Sequence, residues 1–410
     1  MIQSHAIDVP NVVLALAVIL GAAKIGGHLA MRVGQPAVLG ELVAGIVLGN
    51  AALAGVSAFQ SFATNEALEV LAELGVLILL FEVGLESTVR DMLKVGWSSL
   101  LVAVLGVVTP FGLGWAVGAW LLPDAGPYAH AFLGATLTAT SVGITARVLG
   151  DLGKSTTPEA RTILGAAVVD DILGLVILAI VTGAVQAADQ GERLAYGTAI
   201  AILAKAVAFL FGAVALGLVI SPRLFRFTSH LRGQGVLLIT GLIFCFVLAY
   251  LASAVGLAMI VGAYAAGLIL EDGHLKDFAK RGEHRLEDLL HPISAVLVPV
   301  FFVLMGIRVQ LPVFARTDVL VLAAVITVVA IAGKQACSLG VLGRGMDRLS
   351  IGIGMVPRGE VGLIFASIGT TLALGGRPLI DDALFSAIVI MVVVTTMVTP
   401  PALKWSFGRR

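Results

Sequence analysis

Long apolar stretches recur along the chain, separated by short polar breaks. A helix that crosses a bilayer needs about 20 mostly apolar residues. By that measure the sequence predicts spans at 11–30, 37–53, 66–85, 98–121, 130–150, 162–187, 197–220, 235–254, 256–270, 292–307, 317–342, 350–374 and 381–403. The period and length are helical throughout, so the expected fold is an all-α integral membrane protein with about 13 transmembrane helices. The segments 37–53 and 256–270 are the shortest, and a count of twelve would reverse one end of the chain.

Composition sharpens this picture. Of 410 residues, 59% are hydrophobic and 13% charged, whereas soluble domains carry about 25% charged residues. So few charges exclude a soluble enzyme, a nucleic-acid binder and a disordered chain. Net charge is zero, which leaves no basic field for nucleic acid. Cys245 and Cys337 lie in apolar runs and read as small buried hydrophobes. The seven histidines show no ligand spacing, so neither a structural metal nor a cofactor is expected. Residues 1–10 contain no Lys or Arg, so no cleavable signal is expected. No long polar segment follows the last span, so no nucleotide-binding regulatory domain is expected. Charge also orients the chain. With the N-terminus outside, the inner loops hold 17 Lys and Arg and the outer loops 4 (Arg193, Arg308, Arg316 and Arg377). The positive-inside rule therefore predicts N-out, C-in. Five basic residues fall within spans: Lys24, Arg147, Lys205, Lys334 and Arg358. The first three are expected to snorkel toward the surface.

The most informative residues are Asp170 and Asp171, inside Val-Val-Asp-Asp-Ile-Leu-Gly-Leu. One carboxylate at the centre of a span costs about +2.5–3.5 kcal/mol on the insertion scale. Such residues mark ion paths and proton relays. Neighbours on a helix point about 100° apart, so one carboxylate can meet a fixed partner while the other faces a water-filled cavity. The expected partner is Lys334. Desolvation favours the neutral amine and a carboxylate beside it restores the charge, an arrangement suited to carrying a proton. A static salt bridge joining two helices would use the same residues.

Two spans carry helix-breaking sequences. Thr136, Thr138, Thr140, Ser141, Gly143 and Thr145 crowd 130–150, and freed carbonyls and hydroxyls there can coordinate a cation. Gly352, Gly354, Pro357, Arg358, Gly359, Glu360 and Gly362 crowd 350–374. Pro357 removes a helix hydrogen bond, and Arg358 and Glu360 can satisfy the exposed half-helix ends. Interrupted spans at matching places in two halves point to inverted repeats with the site where the breaks meet. The repeats would be the fourth to sixth and the eleventh to thirteenth spans, although no residue-level self-similarity supports them. Glu41 and Glu73 read as hydrogen-bond partners between helices, and Glu82 as a residue at a cavity entrance.

These motifs, with the early Gln-Pro-Ala-Val-Leu-Gly-Glu-Leu-Val-Ala-Gly, the central Ala-Thr-Ser-Val-Gly-Ile-Thr-Ala-Arg-Val-Leu and the late Gly-Met-Val-Pro-Arg-Gly-Glu-Val-Gly-Leu-Ile, resemble those of bacterial monovalent cation–proton antiporters. In pattern they are nearest to the electrogenic sodium–proton members. Potassium antiporters of the family typically have Gln-Asp where this chain has Asp-Asp. The resemblance implies that Asp171 binds Na⁺ or a proton in competition, and that Asp170 pairs with Lys334. It implies that Thr140 and Ser141, with Thr138 in support, line the ion site, and that Arg358 and Glu360 belong to the second crossing helix. It also implies a bacterial cytoplasmic membrane, two discontinuous crossing helices and a homodimer: a dimer domain at 1–94 and 235–312, a mobile core at 95–190 and 313–410, and a linker helix at 191–234. Glu82 stands where the family pattern expects an apolar residue. The implied activity is electrogenic sodium–proton antiport by an elevator-type movement, with Na⁺, H⁺ and the bilayer as partners. A potassium–proton antiporter or a sodium-coupled symporter for organic solutes are the alternatives. An intramembrane aspartyl protease needs its two aspartates facing each other on separate helices, which adjacent residues cannot provide.

Overall fold

The computed structural model describes residues 9–56, 59–86, 96–154, 157–189, 196–231, 233, 235–270, 285–342 and 345–409. The described chain is almost wholly helical. In order it forms α1 (Val9–Arg32), α2 (Ala37–Gly49), α3 (Glu66–Glu86), α4 (Trp97–Leu121), α5 (Gly126–Thr138), α6 (Val142–Asp151), α7 (Pro158–Asp189) and α8 (Tyr196–Thr228). There follow α9 (Val236–Ala254), α10 (Met259–Ile269), α11 (Leu286–Ile307), α12 (Thr317–Gln335), α13 (Arg348–Gly354), α14 (Gly359–Thr371) and α15 (Asp382–Gly408). Each of the thirteen predicted stretches coincides with one helix or with a pair of half-helices. Among the described residues, seven helices are both long and apolar enough to cross a bilayer. Exposed Val, Leu, Ile and Trp side chains are spread over their outer surfaces, as a lipid-facing surface requires.

Several ends differ from the sequence expectation. The span expected from Pro292 begins at Leu286, with Glu287 and Asp288 in its first turn, where acidic side chains complement the helix dipole. The span expected from residue 162 begins at Pro158, with Glu159 in its first turn, because proline suits the first helical position. Helix α14 stops at Thr371, and the chain turns through a two-stranded hairpin, Ala373–Leu374 with Arg377–Pro378. Gly375 and Gly376 have φ of 60° and 77°, the backbone of a tight primed turn, which side chains with a Cβ adopt poorly.

The helices pack as two groups. One unites α1, α2 and α3 with α9, α10 and α11; the other unites α4 to α7 with α12 to α15. Helix α8 touches α7 on one side and α9 and α10 on the other. Glycines bring backbones together inside each group. Gly26 meets Gly40, Gly45 meets Val303 and Gly306, and Gly84 meets Tyr264 and Gly267 so closely that a Cβ at any of them would strike backbone. In the second group a Cβ on Gly114 would come within 2.8 Å of Gly134 Cα. Close backbone approach at small residues is how membrane helices gain packing without a hydrophobic drive. None of the described glycines makes such an approach from one group to the other.

Candidate functional site

The run Thr-Leu-Thr-Ala-Thr-Ser contains hydroxyls that compete for backbone hydrogen bonds, and here the helix does break. Helix α5 ends at Thr138, residues 139–141 are non-helical, and α6 begins at Val142. Helix α13 ends at Gly354, and α14 begins at Gly359 after Met355–Arg358. The two breaks touch, for Ser141 N–H donates to the Pro357 carbonyl at 2.8 Å. Gly359 has φ of +41°, and a Cβ on it would collide with Ser141 at 2.5 Å. Glycine is required there both by the backbone angle and by the crossing.

Each break exposes a helix end rich in bare carbonyls and another rich in bare N–H groups. The carbonyl ends are met by named side chains. Arg358 is fully buried; its Nη1 donates to the Ala139 carbonyl at 2.7 Å, closing the end of α5. Its Nη2 donates to the Ala330 carbonyl of α12 at 2.9 Å. Thr145 donates to the Gly354 carbonyl at 2.7 Å, closing the end of α13, and Thr140 donates more weakly to the Met355 carbonyl at 3.4 Å. Thr138 spends its hydroxyl on the Ala135 carbonyl of its own helix, at 2.7 Å.

Beside this crossing lies the ion pair. Lys334 Nζ of α12 donates to Asp170 Oδ1 of α7 at 2.7 Å, with side-chain exposures of 0% and 1%. The other oxygen, Asp170 Oδ2, has no hydrogen-bond partner among the described residues, and Thr140 stands beside the same carboxylate. The next residue, Asp171, is half-buried. The two carboxylates therefore occupy different surroundings, one sealed on a lysine and one partly open. Gly106 of α4 packs against the pair: a Cβ there would make ordinary contacts, 3.5 Å from Lys334 Nζ and 3.6 Å from Asp170 Oδ1. Sequence reasoning missed Gly106, since one glycine among several in an apolar span carries no signal. Cys337 and Cys245 are buried and unbridged. Lys24 is exposed, whereas the side chains of Arg147, Lys205 and Glu360 lie outside the described residues. Glu41 is buried in α2, and Glu82 is half-buried in α3.

A cavity of about 260 Å³ opens between the two helix groups. Its walls are α3, the α9–α10 junction and α11 on one side, and α7 and α14 on the other. Glu69, Glu73, Arg308 and Thr182 are among its polar groups. Neither aspartate of the pair is among its lining residues.

The sequence matches the profile of the family described as "Sodium/hydrogen exchanger, transmembrane" over residues 14–407. The chain belongs to that family. It is 37% identical to the "High-affinity Na(+)/H(+) antiporter NhaS3" of Synechocystis, over 97% of this chain and 90% of the relative. It is 38% identical to the "Na(+)/H(+)-K(+) antiporter GerN" of Bacillus cereus, over 96% of both chains. The solved structure of the sodium proton antiporter MjNhaP1 from Methanocaldococcus jannaschii superimposes with a TM-score of 0.70 at 16% identity, covering 97% of both chains. At that identity the likeness establishes the shared fold. The family is one of transporters, so the buried ion pair sits in a membrane exchanger.

Proposed function

We propose that this exchanger trades cytoplasmic Na⁺, or Li⁺, for external H⁺ across the bacterial cytoplasmic membrane. The observation that carries the reading is the sealed Asp170–Lys334 pair beside a partly open Asp171, at the point where two broken helices cross. Sodium and protons compete at Asp171, because a carboxylate that holds one cannot hold the other. Thr140 and Ser141 contribute neutral oxygens at the break. Arg358 offsets the partial negative charge at the carbonyl end of α5 and adds its own positive charge to the field around Asp170 and Lys334. When Lys334 gives up its proton and regains it on each cycle, two protons move per sodium and exchange is electrogenic. Each charge crossing the membrane is then worth about 2.3 kcal/mol per 100 mV.

The movement is assigned to the boundary between the two helix groups. Glycine-mediated backbone contacts lock each group internally, and none of the described ones crosses between them. The α1–α3 and α9–α11 group is the scaffold and the homodimer platform, 1–94 with 235–312. The α4–α7 and α12–α15 group is the moving core, 95–190 with 313–410, and α8 is the link. The excess of Lys and Arg in alternate loops supports the N-out, C-in orientation and thirteen crossings. Potassium is a second candidate cargo, since GerN, similar over nearly the whole chain, carries potassium in its name. Proteoliposomes containing a pH dye test all of this. Addition of Na⁺ should dissipate an imposed proton gradient, and Asp171→Asn should abolish the response. Full exchange in Asp171→Asn refutes the site.

A further inference from the structure

We propose that α4 gauges the thickness of the bilayer, and that exchange is fastest in a membrane matched to the lipid-facing stripe of this helix. The occupant of the stripe is phospholipid, and the proposal rests on the antiport reading for its rate measurement alone.

The stripe has two aromatic ends. Trp97 and Trp115 of α4 are 75% and 46% exposed. The 18 steps between them make about five full turns, so both side chains leave the same face, about 27 Å apart along the axis. The exposed positions between them are Leu100, Val104, Val108, Gly112 and Leu113, none of them polar. The hydrocarbon core of a bilayer is about 30 Å thick, and tryptophan collects at its two boundaries. An apolar stripe of that length, closed by a tryptophan at each end, therefore fits one bilayer and sets the depth of α4 within it. Trp120 is also exposed, about 8 Å beyond Trp115 on another face and level with the headgroups. Trp405, near the end of α15, is exposed too, with the Arg409 guanidinium 4.5 Å from its ring centre. These four are all the tryptophans of the chain, and every one belongs to the group of α4–α7 and α12–α15.

The other face of α4 carries the effect inward. Val102, Ala103, Gly106 and Val107 are buried on it, where α4 packs on α5, α7 and α12. Gly106 meets the Asp170–Lys334 pair at ordinary contact distance. A single helix thus has lipid on one face and the ion pair on the other. When stripe and bilayer differ in length, the helix tilts or the lipid deforms. Tilt of α4 moves Gly106 relative to Lys334 and Asp170 and so disturbs the packing of the pair.

The experiment measures dye dequenching in proteoliposomes made from phosphatidylcholines of increasing chain length. The wild type should show an optimum, with rates about three-fold lower in clearly thinner and clearly thicker bilayers. Gly112→Trp combined with Trp115→Leu brings the two aromatic ends about 4.5 Å closer. Gly112 is exposed, and a Cβ there meets nothing within 4 Å. This pair of substitutions should move the optimum to shorter lipids and keep its height. Trp97→Leu combined with Trp115→Leu should flatten the profile. A flat wild-type profile, or a profile left unchanged by either pair of substitutions, overturns the proposal. Quenching of tryptophan fluorescence by brominated phospholipids needs no transport and reports on this helix group alone. Bromines near the headgroup should quench the wild type more than bromines at the chain ends, and equal or reversed quenching overturns the proposal. Wild-type protein with the expected quenching but no Na⁺-driven proton flux in any bilayer would sink the antiport reading alone.

Discussion

The decisive residues are few, and each is intelligible through the cost of leaving it alone in a low-dielectric interior. Asp170 and Lys334 are both buried and 2.7 Å apart. Removing one partner leaves an uncompensated charge, which costs about 3–5 kcal/mol, whereas replacing both by apolar groups of similar volume is often neutral. Asp170→Asn alone and Lys334→Met alone should therefore lower the melting temperature of the detergent-solubilised protein sharply. The double substitution Asp170→Leu with Lys334→Met should recover most of that loss while exchange stays absent. Recovery of stability without transport separates the structural contribution of the pair from its functional one. Gly106 belongs to the same neighbourhood. A Cβ there would make ordinary contacts at 3.4 to 3.6 Å with Cys337, Lys334 and Asp170, so Gly106→Ala should fold and exchange. Gly106→Leu overpacks the same space, a change that typically costs about 1–3 kcal/mol, and dye-dequenching rates should collapse as the pair is pushed apart. Asp170, Asp171 and Lys334 were legible from sequence because charges in an apolar span demand a reason. Gly106 was silent because its contribution is an absent side chain.

At the scale of elements, the two broken helices and the expectation that their breaks meet were legible from the Thr-rich and the Gly- and Pro-containing runs, but the groups that join them were not. The structure joins them through Ser141 N–H and the Pro357 carbonyl and closes two of their carbonyl ends with Arg358 and Thr145. Arg358 spans two acceptors, on α5 and on α12, which the planar fork of a guanidinium reaches and a single ammonium does not. Arg358→Lys should therefore retain the fold with reduced exchange. Arg358→Met should leave the Ala139 carbonyl bare, since Ala330 keeps the hydrogen bond of its own helix, with a loss of about 1–3 kcal/mol for the one buried group left unsatisfied, visible in thermal melts. Thr145→Val removes the Gly354 partner and should give a milder loss of the same kind. The ends of α7 and α11 show the limit of hydropathy reading. Their first turns are polar and acidic, so the apolar window opened late, while the helix dipole and Pro158 set the true start.

At the scale of the whole molecule, function depends on which interface is stiff and which is free to shift. Backbone-to-backbone glycine contacts occur within each helix group, and the cavity with its polar lining lies between them. A bifunctional maleimide joining Leu77→Cys on the scaffold wall to Ile368→Cys on the core wall, across that cavity, should arrest exchange. The same reagent on the protein carrying either substitution alone should leave exchange intact, since the native Cys245 and Cys337 are buried. Continued exchange in a fully cross-linked protein would place the movement elsewhere. The sequence by itself determined that this chain lives in a membrane, how its helices are spaced and which charged residues need an explanation, because insertion energy depends on local composition. The Asp170–Lys334 pairing that the resemblance implied is present at 2.7 Å; only the tertiary structure decided that Arg358 closes α5, that Gly106 packs against the ion pair, and that Glu73 lines a cavity between the helix groups. Those outcomes rest on contacts between residues far apart in the chain, and no periodicity along one helix encodes what the next helix places opposite it.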